Sequence, residues 1–353
     1  MNLKQLGWDD FFEQRFSQYR NHGLMPARII RETRHIYDVE SESGRHTAQV
    51  SGAFHYTAVM RSDYPTIGDW VAMTETDGTF VIEKVLERRS SFSRKTAGRE
   101  IDEQIIAANI DILFIVNGLD GGRNFNMRGI ERYITMAGES GARPVIVLNK
   151  SDLCKDKEQA MREATFSEDI PVHIVSAFTG EGLRELIAGC APMSTIALTG
   201  PSGVGKSALI NTLLGEQKIR TGAQRQDDLR GRHTTTHKEL FFLPGGLMLI
   251  DTPGLRELGL WADEKSIDNA FSDISVIAKK CRFRNCTHQS EPGCAVQKAL
   301  FEGILDHARY ENYLGMKGEI SFLNSKTDVK ARLEKKAREK KLSKLIKDHF
   351  KER

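Results

Sequence analysis

Hydrophobic and polar residues alternate in short runs through the first quarter of the chain. An amphipathic segment at residues 8–19 comes first, and short apolar runs punctuated by Gly, Pro and Asp follow it. These runs cover residues 27–31, 36–39, 47–50, 69–73 and 80–82. Five short strands at this spacing predict a small β-barrel in residues 1–92, with an OB-like fold as one of the possible small β-domains.

Longer apolar runs separated by helical periodicity replace this pattern between residues 93 and 275. Strands are predicted at residues 111–116, 144–148, 171–175, 195–199, 239–243 and 247–250. A helix is predicted at residues 127–139, and Pro244-Gly245-Gly246 indicates a hairpin between the last two strands. Buried strands that alternate with helices predict a mainly parallel, doubly wound α/β sheet.

Residues 276–353 form a third region, in which four potential metal ligands precede helical sequence and a Lys-rich tail. Residues 325–353 contain 12 Lys and Arg against 5 Asp and Glu, a net charge of +7 that leaves −4 on the rest of the chain. A basic tail suits either a polyanionic partner or a solvated helix, and charge alone does not choose between them.

The composition excludes several classes of protein. Of the 353 residues, 39% are hydrophobic and 28% are charged, which indicates a folded, soluble chain. No apolar run approaches the roughly 20 residues that a membrane-spanning helix needs, and the first ten residues do not resemble a secretion signal. Five cysteines argue against a disulfide framework. We therefore expect a cytoplasmic protein with no membrane partner.

A phosphate-binding loop is indicated by the motif G-x-x-x-x-G-K-S, which lies between a predicted strand and a predicted helix. Its glycines let backbone N–H groups converge on phosphate oxygens, and the helix N-terminus adds partial positive charge. Lys206 would reach the β- and γ-phosphates, and the Ser207 hydroxyl would bind Mg²⁺. The expected binding residues are Gly200, Pro201, Ser202, Gly203, Val204, Gly205, Lys206, Ser207 and Ala208.

A second motif for the phosphate end is Asp-Thr-Pro-Gly at residues 251–254, directly after a predicted strand. The carboxylate of Asp251 at a strand's carboxyl end could hold Mg²⁺ directly or through water, and the N–H of Gly254 could sense the γ-phosphate. The four residues alone are an ordinary turn, so their weight comes from their position after the phosphate loop.

A binding site for the base of the nucleotide is predicted by the motif Asn-Lys-x-Asp, which follows the strand at 144–148. The motif comprises Asn149, Lys150, Ser151 and Asp152. Asp152 could accept hydrogen bonds from N1–H and the C2 amino group of guanine, whereas adenine offers an acceptor at N1. Such a mismatch gives discrimination on the order of 10⁴. Asn149 could brace the neighbouring loops, and the Lys150 stem could cover the base. Ser176 and Ala177, after the next strand, could present a backbone N–H to guanine O6.

The order of these motifs is unusual, because the guanine motif precedes the phosphate loop by about 50 residues. Ordinary small GTPases have the reverse order. The strands can still form one sheet if the original termini lay close together, since the chain can then be cut elsewhere. The pattern therefore predicts a circularly permuted GTPase, in which the segment near Asp251 leads directly into the C-terminal domain.

A threonine-rich loop, Gly-Arg-His-Thr-Thr-Thr-His at residues 231–237, lies between the two phosphate motifs. Thr235 is the first candidate for binding Mg²⁺ and the γ-phosphate, with Thr234 and Thr236 as alternatives. Many GTPases place a water-orienting Gln where this chain has Leu255, so we expect slow intrinsic hydrolysis. His233 is the best local candidate for positioning the water, and His237 is the second.

A metal site is predicted by Cys-x4-Cys-x-His-x5-Cys, which places Cys281, Cys286, His288 and Cys294 within 14 residues. Three thiolates and one imidazole suit tetrahedral Zn²⁺, and four protein ligands leave no position for a reactive water. We therefore expect one structural zinc ion in a mainly helical C-terminal domain, residues 276–353. Two other cysteines, Cys154 and Cys190, lie apart from this cluster.

Together these residues resemble the ribosome small-subunit-dependent GTPases, the RsgA/YjeQ family. The likeness covers most of the chain: Ile-Gly-Asp-Trp-Val at residues 67–71, the nucleotide motifs in permuted order, and the Cys/His cluster. It implies three parts: an OB-like barrel (1–92), a circularly permuted α/β P-loop GTPase domain (93–275) and a helical zinc-binding domain (276–353). It also implies a monomeric enzyme that converts GTP to GDP late in small-subunit maturation, bound to the subunit and its rRNA, with turnover stimulated by the subunit.

Candidate RNA-contacting residues lie in and just after the barrel region. OB-folds bind nucleic acid with a basic groove and stacking aromatic side chains. Phe54, Tyr56, Tyr64 and Trp70, with Arg61 nearby, lie in the barrel region, but core packing explains Trp70 better. Arg94 and Lys95 are stronger candidates, and the tail could add phosphate contacts.

Two other functions remain open at this stage. One is a nucleotide-gated RNA-binding module in which hydrolysis is incidental. The other is a nucleic-acid-binding protein whose nucleotide site is vestigial, although the presence of Lys206, Ser207 and Asp251 counts against it.

Overall fold

The structure is a computed structural model that describes residues 2–33, 36–58, 60–95, 103–121, 125–165, 169–219, 238–251, 264–289 and 291–321. The chain divides into two compact units, Met1–Trp261 and Ala262–Arg353. Within the ranges just given, no helix has the length and apolar character that crossing a membrane requires.

A five-stranded barrel opens the first unit. Its strands are β1 (Met25–Thr33), β2 (Ile36–Ser41), β3 (Gly44–Val50), β4 (Trp70–Thr76) and β5 (Thr79–Val85). They pair in the order β1–β2–β3–β5–β4, and β4 returns to β1, which closes the barrel. The alternating apolar positions point inward and form a core that includes Ile29, Tyr37, Val39, Met73 and Ile82. The predicted OB-like barrel is confirmed.

Helix α1 (Asp10–Arg20) packs on the outside of this barrel. Its N-cap is Asp9, whose carboxylate accepts the N–H groups of Phe11 and Phe12. Its apolar face and Trp8 cover Trp70, and the two indole rings lie 4.6 Å apart in an edge-to-face arrangement. Trp70 is fully buried, so the prediction that it belongs to the core is confirmed.

A short helix and a separate hairpin complete this part of the chain. Helix α2 (Gly52–Thr57) connects β3 to β4 and is capped by the Ser51 hydroxyl, which accepts the Phe54 N–H. After the barrel, β6 (Ser91–Lys95) and β7 (Glu103–Ala108) form a two-stranded antiparallel sheet that the sequence pattern did not predict.

The remaining strands form the α/β sheet. They are β8 (Ile112–Gly118), β9 (Arg143–Asn149), β10 (Val172–Ile174), β11 (Thr195–Thr199), β12 (Lys238–Phe242) and β13 (Met248–Asp251). The order is β10–β9–β8–β11–β13–β12, parallel throughout except for β12, which forms the predicted hairpin with β13. The helices of this part are α3 (Met127–Ser140), α4 (Lys157–Ala164), α5 (Leu183–Ala188) and α6 (Lys206–Leu214).

The barrel and the α/β sheet share hydrogen-bonded strands. Strand β12 pairs with β1 through two residue pairs, Arg31 with Glu239 and Glu32 with Lys238, so both parts belong to one eleven-stranded sheet. The Lys238 ammonium reinforces the junction, because it lies 2.9 Å from the Glu32 carboxylate and 3.1 Å from the Thr66 hydroxyl. We name these two strand pairs and their side-chain contacts the β1–β12 junction.

A buried arginine makes a second connection between the same two parts. Arg28, on β1, is 2% exposed and donates to the Thr195 hydroxyl at 2.7 Å and to the Asn109 carbonyl at 3.2 Å. It also donates to the carbonyls of Gly68 and Leu6. Burial lowers the pKa of Arg28 to about 10, so it remains a cation at neutral pH. Thr195 begins β11, and the barrel is thereby tied to the strand that leads to the phosphate loop.

The second unit is helical among its described residues. It contains α7 (Glu264–Ala270), α8 (Ser272–Ala278), α9 (Ala295–Phe301) and α10 (residues 307–321). Apolar side chains such as Ile267, Phe271, Ile274 and Val296 form its interior. Arg309 on α10 holds the Asp273 carboxylate on α8 with two hydrogen bonds, of 2.7 and 2.8 Å.

Candidate functional site: a nucleotide pocket and a Cys/His cluster

The sheet order brings the separated sequence motifs to one edge. Strand β8 lies between β9, which ends at Asn149, and β11, which leads to the phosphate loop, while β13, which ends at Asp251, flanks β11 on its other side. These strands are parallel, so their carboxyl ends meet at the same edge of the sheet. A chain that began at β11 and continued from β13 into β8 would carry the same motifs in the usual order, with the phosphate loop first, and would form the same sheet. The predicted circular permutation therefore has a direct structural basis.

The phosphate loop needs glycine at two places. Gly200 has a φ of +134°, and a Cβ there would lie 2.1 Å from the Val116 carbonyl oxygen on the neighbouring strand β8. Gly205 has a φ of +93°, and its Cβ would lie 2.4 Å from Nδ2 of Asn149. The loop therefore approaches both the central sheet and the guanine motif too closely for any side chain.

Lys206 follows as the first residue of α6 and is almost completely buried, with 6% exposure. Its ammonium donates to the carbonyl oxygens of Gly200 and Pro201, at 2.6 and 2.5 Å. The sequence predicts that this ammonium contacts phosphates, and that stays a prediction. In the structure the cation lies inside the curve of its own loop, where it balances carbonyl oxygens. Ser207 is the next helical residue and is half-buried.

Asn149 connects the phosphate loop to both loops of the guanine motif. Its side chain is buried, Nδ2 donates to the Val204 carbonyl at 2.9 Å, and Oδ1 accepts the Ala177 N–H at 3.0 Å. The bracing role predicted for this amide is thus visible as two hydrogen bonds. The sequence offers a backbone N–H of Ser176 or Ala177 to guanine O6, and the Ala177 N–H is engaged with Asn149 in this structure.

Asp152 and Ser176 form a second link between these loops. The Ser176 hydroxyl donates to the Asp152 carboxylate at 2.5 Å and accepts the Thr179 N–H at 3.1 Å. Asp152 itself is exposed, whereas Ser176 is fully buried. The carboxylate is therefore held in one place while one of its edges faces solvent.

Two acidic residues that the motif analysis missed hold the rest of the Asn-Lys-x-Asp loop. The Lys150 ammonium lies 2.5 Å from Asp120, which follows β8, and the Lys150 backbone is left-handed with a φ of +67°. The Ser151 hydroxyl donates to Glu181 at 2.7 Å. Hydrogen bonds from Lys157 and Ser151 lower the pKa of Glu181. Only the sheet order, which places β8 beside β9, could have indicated Asp120 beforehand.

A pocket of about 280 Å³ lies where these loops meet. The residues that line it come from the guanine motif, the loop after β10 and the start of α6: Asn149, Lys150, Asp152, Leu153, Ala177, Phe178, Gly205 and Ala208. Two larger pockets, of about 370 and 510 Å³, lie on the barrel and beside α1, away from the motifs. Of these three pockets, all formed by described residues, the one between the loops combines a polar edge with the approach to a phosphate loop.

Several predicted residues fall outside the described ranges. They are His233, Thr234, Thr235, Thr236 and His237 in the threonine-rich loop, Gly254 and Leu255 after β13, and the basic tail at 325–353. Asp251 is described as the last residue of β13. Arg94 and Lys95 are described as backbone residues of β6.

The four metal-ligand candidates come together in the second unit. The ligand atoms of Cys281, Cys286, His288 and Cys294 all lie within 4.8 Å of one another. Sγ of Cys281 lies 3.5 Å from Nδ1 of His288 and 3.9 Å from Sγ of Cys294, and Nδ1 lies 3.6 Å from the latter sulfur. Tetrahedral Zn²⁺ with sulfur at about 2.3 Å requires sulfur–sulfur separations of roughly 3.8 Å, so this donor set fits the ion.

Backbone N–H groups support the two thiols nearest α9. Ala295 N–H donates to Sγ of Cys281 at 3.3 Å, and Gln297 N–H donates to Sγ of Cys294 at 3.4 Å. Burial acts to raise the pKa of the Cys281 thiol, but hydrogen bonds from the backbone N–H groups of Ala295 and Val296 and from the thiols of Cys294 and Cys286 together lower it. The start of α9 therefore favours thiolate, which is the form that binds a metal.

The comparisons with known proteins agree with this geometry. A family model described as RsgA GTPase matches residues 85–261. A protein of Opitutus terrae named small ribosomal subunit biogenesis GTPase RsgA is 43% identical over 348 residues, which cover 95% of this chain and 94% of that protein. The chain belongs to the RsgA GTPase family. Another RsgA, from Xylella fastidiosa, is 44% identical over 300 residues, or 84% of this chain and 85% of that protein.

Two solved structures are similar over most of the chain. YjeQ from Thermotoga maritima has a TM-score of 0.62 and 26% identity, and the match covers 83% of this chain and 97% of that chain. YloQ, described as a circularly permuted GTPase, has a TM-score of 0.61 and 23% identity, with coverage of 85% and 96%. The predicted architecture and the prediction of a GTP-hydrolysing enzyme of the RsgA family are confirmed.

Proposed function

We propose that this GTPase acts in late maturation of the small ribosomal subunit. It would bind the subunit and its rRNA as a monomer and hydrolyse GTP to GDP and phosphate with turnover stimulated by the subunit. The names of relatives that match most of the chain support this setting. The main support for nucleotide binding is the pair of hydrogen bonds made by the Asn149 side chain, which join the guanine loops to the phosphate loop in one preformed pocket.

At the base end, Asp152 would accept N1–H and the C2 amino group of guanine. The Ser176 hydroxyl already orients this carboxylate at 2.5 Å. The Lys150 stem, fixed by Asp120, would cover one face of the base. A guanine O6 that takes the Ala177 N–H would have to compete with Asn149 Oδ1, so binding would rearrange that contact.

At the phosphate end, Lys206 would exchange the carbonyls of Gly200 and Pro201 for β- and γ-phosphate oxygens. Ser207 and Asp251 would hold Mg²⁺, since β11 and β13 pair in parallel and bring both residues to the same edge of the sheet. Bound Mg²⁺ supplies positive charge that neutralises the phosphate oxygens. Thr235 is proposed as a further ligand, and His233 as the residue that orients the attacking water.

In the second unit, Cys281, Cys286, His288 and Cys294 would hold one Zn²⁺ with a structural role. All four positions of a tetrahedral ion would be filled by protein, so no coordinated water remains for chemistry. Burial lowers the pKa of His288, which favours the neutral imidazole that a metal requires.

The proposed function is tested by measuring GTP turnover alone, with purified small ribosomal subunits, and with large subunits as the control. We expect small subunits to raise kcat by at least 10-fold, about 1.4 kcal/mol of barrier, and large subunits to leave it unchanged. GTP-dependent subunit binding without faster turnover would instead support a nucleotide-gated RNA-binding module.

Two variants examine the assigned roles within the same assay. Asp152→Asn should exchange the preference for GTP for one for XTP, because the C2 carbonyl of xanthine accepts a hydrogen bond from the amide. Asp77→Asn, at an exposed turn of the barrel, is the matched control and should change neither preference nor rate. If His233→Ala leaves basal and stimulated kcat unchanged, His233 does not position the water.

A further inference from the structure

Phe178 is a large apolar residue that is exposed to solvent. It is 91% exposed, although it directly follows the buried Ser176 and the half-buried Ala177. Its backbone is held by hydrogen bonds, because the Ser176 hydroxyl accepts the N–H groups of both Phe178 and Thr179, at 3.2 and 3.1 Å. The Gly180 N–H closes the same turn onto the Ser176 carbonyl at 2.9 Å. The ring is therefore presented to solvent by a fixed turn.

The turn presents Phe178 at the guanine pocket. Phe178 lines this pocket together with Lys150, Leu153 and Ala177, while Asp152 provides its polar edge. Leu153 is also well exposed, at 59%. The pocket thus combines one carboxylate with exposed apolar surface, which suits a planar heterocycle that is polar along its edge and apolar on its faces.

We propose that Phe178 packs against a face of the purine ring of the bound nucleotide and is a further binding residue of this site. The inference rests on the proposed GTP pocket and adds a contact that neither the guanine motif nor the phosphate loop contains. Every purine has an apolar π-face, so this contact increases affinity for purine nucleotides generally, whereas Asp152 selects guanine. Replacing an aromatic side chain that stacks on a base by alanine costs about 1–3 kcal/mol, or roughly a 5- to 150-fold loss of affinity.

The test measures binding of three probes to the full-length protein by calorimetry: GDP, GTP with no turnover allowed by omission of Mg²⁺, and inorganic triphosphate. Phe178→Ala should weaken GDP and GTP by roughly 10-fold and leave inorganic triphosphate unchanged, since that probe has no base. Phe178→Trp should keep the affinity for GDP, and its indole emission should change when GDP binds. Phe301→Ala is the matched control, because Phe301 is 92% exposed in the other unit.

The outcomes separate this inference from the proposed function. If Phe178→Ala binds GDP within twofold of the unchanged protein, the stacking role is wrong while the GTP pocket stands. If Phe178→Ala weakens inorganic triphosphate equally, the ring acts on the loops rather than on the base, and the inference is also wrong. If the unchanged protein shows no preference for GDP over ADP, the proposed pocket itself fails. Circular dichroism of each variant confirms folding, which an exposed side chain should not alter.

Discussion

Replacement of Gly200 by alanine examines how tightly the phosphate loop is packed on the sheet. The new Cβ would lie 2.1 Å from the Val116 carbonyl oxygen, whereas real Cβ atoms do not approach within 3.0 Å, so the ends of β11 and β8 must separate by about 0.9 Å. Such overpacking costs about 1–3 kcal/mol. The φ of +134° lies in a region that glycine alone adopts readily, so a residue with a Cβ adds roughly 1–3 kcal/mol of backbone strain. We expect a total loss of about 2–6 kcal/mol.

Gly203 is the matched control in the same loop. Its φ is +84°, but a Cβ there would meet nothing within 4 Å, so Gly203→Ala carries the backbone strain without the overlap. The assay is thermal unfolding of both variants without nucleotide, followed by GDP binding. Gly200→Ala should melt roughly 2–12 °C below Gly203→Ala, since the overlap costs about 1–3 kcal/mol and each kcal/mol lowers the melting temperature by about 2–4 °C for a unit of this size. Gly200→Ala should also bind GDP measurably more weakly than Gly203→Ala.

Equal melting temperatures for the two variants would refute this reasoning. The result would mean that the loop leaves the sheet without cost and that the contact between Gly200 and Val116 does not determine the loop's position. A Gly200→Ala protein that binds GDP normally would refute the second part, because nucleotide binding would then not require the close approach.

Three further predictions concern the rest of the molecule. Arg28→Met should destabilise the first unit by at least about 3 kcal/mol, because it leaves buried carbonyl groups without a donor. Arg162→Met, which removes an exposed ion pair with Glu158, should cost less than about 1 kcal/mol in the same denaturation assay. Removal of zinc by a chelator, or Cys294→Ser, should abolish the helical circular dichroism of the second unit. Metal analysis should show the loss of about one zinc ion per chain, while the affinity for GDP stays constant. A double-mutant cycle of Glu32→Gln and Lys238→Met should give a coupling energy of about 1 kcal/mol, and a value near zero would show that the ion pair adds nothing to the β1–β12 junction.

The strands, the phosphate loop and the Cys/His cluster were accessible from sequence because local pattern determines them. The run at residues 195–199 has an apolar centre, Ile-Ala-Leu, between two threonines, and it becomes β11, buried on both faces. The motif that follows it needs glycine for reasons of backbone geometry, and the structure shows those reasons at Gly200 and Gly205. Likewise, four metal-ligand side chains within 14 residues are held close together by the short chain between them, and their ligand atoms lie within 4.8 Å of one another.

Features that depend on distant parts of the chain were not accessible. Arg28 reads as one polar residue in a β-rich run, and nothing local shows that it is buried against Thr195, 167 residues away. The pairing of β1 with β12 involves two residues on each strand and leaves no periodic signal. The hairpin of β6 and β7 pairs without the Asn-Gly or Gly-Gly dipeptide that would have predicted it.

Side-chain positions in the nucleotide pocket form a third category. The sequence identified Lys206 and Ala177 as nucleotide contacts. It could not show that the Lys206 ammonium rests on the carbonyls of its own loop or that the Ala177 N–H is taken by Asn149. These contacts follow from the packing of three loops from separate strands, which motif spacing does not determine.

The β1–β12 junction has a consequence for dissecting this protein. A fragment that begins after the barrel would retain β12 but lose its neighbour, so the outer N–H and C=O groups of that strand would become a free sheet edge, which is a template for aggregation. The same cut would leave the Thr195 hydroxyl and the Asn109 carbonyl without the cation that satisfies them. The N-terminal barrel is therefore part of the structural support of the GTPase sheet, and truncated forms are poor reagents for separating the proposed RNA binding from GTP hydrolysis.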